Sequence, residues 1–222
     1  DPSNHTEPPR MLATDRDLLV LEPNLFRDIS WAGQRLLETT GSTSGNVLTL
    51  AGGDAAAAGV TTGHVALVGG VALEVIERTA PGTLVVSRVR AAGDGPIIPP
   101  PTLAAQPVVV TSFAPQLALV TAQALRLVGV GPGTDAGPDG PTESDITDAG
   151  ALRPLVCLGA LHLIYAAASS LAGAGSPAHQ RAELYRERFG AERSRASAPI
   201  DLDGDGVADV IRRPSVTRLV RG

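Results

Sequence analysis

The chain has 222 residues, 43% of them hydrophobic, enough for one elaborated domain or for a core domain carrying a small insert. All 18 basic residues are Arg, set against 23 acids, and the net charge of −5 argues against a binder that neutralises many phosphates. The single cysteine, Cys157, excludes a disulfide scaffold and a Cys-based metal site within one chain.

Residues 1–10 contain no apolar core of the signal-peptide kind, and Met11 resembles a translation start, so these residues read as an extension of uncertain origin. Thr14-x-x-Asp17 ahead of Leu18-Leu19-Val20-Leu21 predicts a short capped helix ending before Pro23. Leu25, Phe26, Ile29 and Trp31 predict a second helix reaching Leu37, so that 11–45 form N-terminal helices with a loop over 39–46. From Val47 to Val89 the runs are β-branched, with Gly69-Gly70 and Ala80-Pro81-Gly82-Thr83 as turns, which predicts an inserted β module over 46–92. Four short strands are unstable as an open sheet, so a small curled barrel or a sheet packed on helices is expected.

Gly93–Pro101 reads as a Pro/Gly linker leaving that module. Helices are predicted from Phe113 to Val128, from Thr147 to Leu171 with a kink at Pro154, and from Pro177 to Ala196. These make 93–198 a helical core, separated from 199–222, which reads as a C-terminal tail of strands around an Asp/Gly turn. The expected class is α+β: a helical core, or bundle, with an inserted small β-barrel-like module and a C-terminal β-hairpin or extended tail. Leu155–Gly175 has no Asp, Glu, Lys or Arg, but its Ala, Gly, Ser and His162 favour a buried bundle helix over a membrane span. Charge divides unevenly, with nine Arg against sixteen acids in 1–153 and nine against seven in 154–222, which predicts two unlike surfaces.

The most chemical-looking segment runs from Asp201 to Asp209, where Asp201, Asp203, Asp205 and Asp209 match the oxygen-ligand spacing that opens a calcium loop. The twelfth position, where a bidentate Glu belongs, is Arg212, and strand-like residues flank the loop, so a hairpin turn is expected rather than a metal site. His5, His64, His162 and His179 show no metal spacing, and His162 reads as a hydrogen-bonded core residue. Gly129-x-Gly131-x-Gly133 leads into more loop, and Cys157 lacks a polar activator, so neither a dinucleotide fingerprint nor a nucleophile is indicated. Acids, bases and nucleophiles do not converge, and the expectation is no catalytic activity and no cofactor.

Gly59–Val68, Glu74–Arg78 and Thr83–Ser87 resemble the small β module of phage connector proteins. Thr111–Gln116, Leu125–Val130, the helix with Leu161, Leu163, Ile164 and Tyr165, Arg181–Arg186 and Ile200–Gly206 are similar to further parts of them. Together they resemble the head–tail connector (adaptor) proteins of tailed bacteriophages and gene transfer agents, over most of 11–222. The resemblance implies a ring of about twelve copies between the portal and a tail-side stopper or neck protein. DNA would pass through the lumen without sequence-specific binding, in a virion neck made in the host cytoplasm, with no membrane and no cofactor.

Residues 199–222 are expected to dock onto the portal, through Val210, Ile211, Arg212, Arg213, Val216, Arg218, Leu219 and Arg221. Two other readings stay open: a non-ring capsid or tail accessory module, and a Ca²⁺-dependent cell-surface protein using the Asp-rich loop.

Overall fold

A computed structural model describes residues 12–131 and 140–214. Among the described residues it is a mixed α+β chain with five α-helices and a closed six-stranded antiparallel barrel. The chain divides into two compact units: the continuous stretch Thr14–Ala114, and the residues on either side of it.

The continuous unit opens with α1 (Asp15–Leu21), whose Thr14 N–H donates to the Asp17 carboxylate at 2.9 Å in the capping box the sequence spells out. The next helix, α2 (Leu25–Asp28), is a single turn, and a 3-10 turn at Ala32–Gln34 leads into strand β1 (Arg35–Ser44). The strands β2 (Val47–Leu50), β3 (Val65–Val68), β4 (Val71–Ala80), β5 (Thr83–Ser87) and β6 (Leu103–Thr111) follow. They close in the order β1-β2-β5-β4-β3-β6, with β1 pairing β6 from Arg35↔Thr111 to Thr43↔Leu103. Period-two alternation sends Leu48, Leu73, Val75, Leu84, Val86, Val108 and Val110 inward, where all are buried. The barrel interior is therefore a packed core.

The second N-terminal helix ends at Asp28, and 35–44 is strand, because polar Thr40, Ser42 and Ser44 form a strand's outward row, which reads as loop in sequence. Gly41 belongs in that strand for a steric reason: a Cβ there would lie 2.8 Å from the Thr49 carbonyl oxygen. The β module is likewise wider than 46–92, since β6 lies in the stretch assigned to the helical core and closes the barrel. Pro107 masks it, yet sits beyond the β3 ladder, which begins at Val108↔Val68. Opposite Gly41 and Thr43, β6 carries an extra residue, and Ala105 in that bulge has a φ of 48°.

The second unit holds α3 (Ala114–Leu127), α4 (Arg153–Ala172), α5 (Pro177–Arg193) and a hairpin of β7 (Ala198–Ile200) and β8 (Val210–Arg212). Pro154 lies in the first turn of α4, where no N–H is needed, so it starts the helix instead of kinking it. Leu155, Leu161, Ile164, Tyr165 and Cys157 are buried, and Leu158 is half-buried. Tyr165 stacks on Tyr185 of α5, with ring centroids 5.7 Å apart. The stretch Ala149–Ala172 is long and apolar enough to cross a membrane by length and composition. Its first turns are enclosed, whereas near its end Leu171 is 83% exposed.

Candidate functional site

The C-terminal hairpin turns on Asp201, whose carboxylate accepts the N–H groups of Asp203 at 3.2 Å and of Gly204 and Gly206 at 2.7 Å. The Gly206 N–H, foremost among these donors, holds the Asp201 carboxyl below its ordinary value. Asp203 accepts from the Asp205 N–H, Asp205 from Val207, and Asp209 from Leu202. The turn is thus built from side-chain-to-backbone bonds at alternate positions, as Asp/Gly chemistry allows. It also draws carboxylate oxygens of Asp201, Asp203 and Asp209 within 4.8 Å of one another. Arg212 does not stand against them: its guanidinium donates to the Gly129 carbonyl at 2.6 Å.

Of the predicted docking residues, Val210, Ile211 and Arg212 form β8 and pair with β7 of the same chain. Arg213 is exposed, and Val216, Arg218, Leu219 and Arg221 lie outside the described residues. The Pro199 carbonyl accepts the Thr147 N–H on the far side of β7. Pro199↔Ile211 is therefore a pair whose backbone groups point away from each other, and those of Ile211 face outward along the edge of β8. The Ile211 side chain is 66% exposed, and so is that of Val207.

Sequence reasoning missed a charged cluster in the barrel unit. Glu74 on β4 accepts from Arg16 Nε at 2.9 Å, and from Arg90 through Nε at 2.6 Å and through its backbone N–H at 3.1 Å. Arg16 also reaches Asp17 and the Arg90 carbonyl, and Arg90 reaches the Gly95 carbonyl. Nearby, Asp15 is buried and accepts the Phe113 N–H at 2.8 Å. Burial pushes its carboxyl up to about 7, with the Phe113 N–H and the Ser112 hydroxyl pulling the other way. In sequence Glu74 alternates with Leu73 and Val75, an outward position on β4 that reads as solvated.

His162 is half-buried, with Nδ1 3.1 Å from the Ala182 carbonyl, so Nδ1 donates. It lines a shallow cleft with Val120, Gly159, Leu163, Arg186 and Phe189.

Comparison with models of known protein families, with curated proteins and with solved structures finds no match for this chain.

Proposed function

We propose that the chain is a structural subunit of a head–tail connector in a tailed phage or gene transfer agent, without catalytic activity of its own. The observation that carries this reading is the outer edge of β8. There Ile211 offers an N–H, a C=O and an exposed apolar side chain, followed by Arg212 and Arg213. An edge of this kind is completed by a strand from another protein, with backbone bonds supplying affinity and the Arg residues favouring an acidic neighbour. The partner proposed is the portal, and the assembly a homo-oligomeric ring with DNA passing through its lumen. Support also comes from the barrel, whose interior is filled by side chains and which therefore works through its surface. Truncation at Ser197 tests the reading: the shortened chain is expected to fail to join portal-containing heads, with the full chain present in purified virions. Normal joining by the truncated chain, or absence of the full chain from virions, would overturn it.

A second reading, a Ca²⁺-dependent surface-binding protein, is favoured by the approach of the Asp201, Asp203 and Asp209 carboxylates with Arg212 turned away. A rise in melting temperature on titration with Ca²⁺, abolished by Asp201→Ala, would select it over the connector.

A further inference from the structure

We propose that Asp15 is a proton-operated latch that holds the two ends of the barrel unit together and loosens when its carboxyl ionises. The unit begins at Thr14 and ends at Ala114, and Asp15 and Phe113 are the residues just inside those two points. A single bond joins them, from the Phe113 N–H to Asp15 Oδ1, and Asp15 is 2% exposed. Around it the packing is aromatic, with the Phe113 ring 5.3 Å from that of Phe26 and 5.9 Å from that of Trp31. Helix capping does not require Asp15, since Asp17 closes the box with Thr14.

The neighbouring charges are engaged elsewhere. On α1, Arg16 bonds Asp17, Glu74 and the Arg90 carbonyl. Arg27 and Asp28 of α2 pair with each other at the surface. Strand β3 has no ionisable residue, and His64 just before it accepts the Thr61 N–H on Nδ1. On β4, Glu74 is held by Arg16 and Arg90, Glu77 is exposed, and Arg78 donates to the Val60 carbonyl. From Leu103 to Ala114, through β6 to the end of the unit, no residue is charged. Among the described residues, an ionised Asp15 is therefore compensated by the Phe113 N–H and the Ser112 hydroxyl, and burial outweighs both, leaving the carboxyl at about 7.

Opened to water, the same carboxyl returns to its ordinary value of 3.8. Closure is thus favoured in full below pH 3.8, and that advantage is lost as pH rises to about 7. Across this window each pH unit multiplies the opening constant by about ten, and above it the constant levels off.

Hydrogen exchange at the Phe113 amide, followed by NMR in the full chain from pH 4 to 8.5, tests the latch. Ordinary base catalysis raises exchange about tenfold per pH unit, and the latch adds up to a further tenfold per unit below pH 7. The extra slope is expected to vanish above pH 7 and to be absent throughout in Asp15→Asn. A Phe113 amide that follows the pH dependence of the Val110 amide across the range would overturn the proposal, as would an extra slope that survives Asp15→Asn. Should that variant fail to fold, the carboxyl ¹³C resonance of Asp15 in the unmodified chain decides: a midpoint near 7 supports the latch and one near 3.8 refutes it.

Discussion

Glu74→Ala is expected to be among the most damaging single substitutions in the barrel unit. The Glu74 side chain is 1% exposed, and those of Arg16 and Arg90 are 12% and 10% exposed. Removing the carboxylate leaves Arg16 with Asp17 and a backbone carbonyl, and Arg90 with the Gly95 carbonyl, two nearly buried cations without the anion between them. Breaking a buried ion pair in this way costs about 3–5 kcal/mol. Trp31, the one tryptophan of the chain, touches Phe113 inside the same unit, so its fluorescence reports unfolding of that unit. With a urea slope of about 1.5 kcal/mol/M, the transition should move down by about 2–3 M. Replacing Arg16, Glu74 and Arg90 together by apolar residues of similar volume should recover most of the loss, because no charge is then left buried. A shift below about 0.5 M for Glu74→Ala, or a triple variant as weak as the single one, would refute this account of the cluster.

Gly159→Ala would place a Cβ 2.6 Å from Val120 Cγ1 and 2.9 Å from the Phe189 ring, and should cost about 1–3 kcal/mol, less in a Val120→Ala background, by thermal unfolding. Ala105→Gly should stabilise the barrel by about 1 kcal/mol, since alanine at a φ of 48° bears the left-handed penalty; an unchanged urea midpoint would count against that. Asp201→Ala should strip exchange protection from the Gly204 and Gly206 amides, which donate to its carboxylate. Because those bonds hold the Asp201 carboxyl low, in the native chain the same protection should be intact above pH 3.8 and fade as pH falls through the folded-state value.

Legibility in the sequence followed the strength of local signals. The Thr14-x-x-Asp17 box and the β-branched runs of β3, β4 and β5 could be read directly, because capping and alternation act over a few residues. Strands β1 and β6 could not, since each is stabilised by the other across a long sequence separation, and their Thr, Ser, Gly and Pro residues carry loop propensities that the closed barrel overrides. The Asp201 turn was visible as a spacing of oxygens, whereas the approach of Asp209 to Asp203 depends on how the hairpin closes. Glu74 and Asp15 were not singled out, because nothing local distinguishes a buried carboxylate from a solvated one. For the docking residues, the alternating pattern was legible, but the outward direction of the Ile211 backbone groups is set by Pro199 and Thr147 on the far side of β7.

The seam between β1 and β6 also sets the order of events during synthesis. Arg35 pairs with Thr111, so the first strand to leave the ribosome waits for the last before the ring of hydrogen bonds can close. Until then β1 to β5 form an open ribbon with bare margins at β1 and β3 and a row of Val and Leu uncovered on one side. Such long-range closure belongs to the slow, millisecond-to-second regime of β-folding, and the exposed ribbon is open to pairing with other nascent chains.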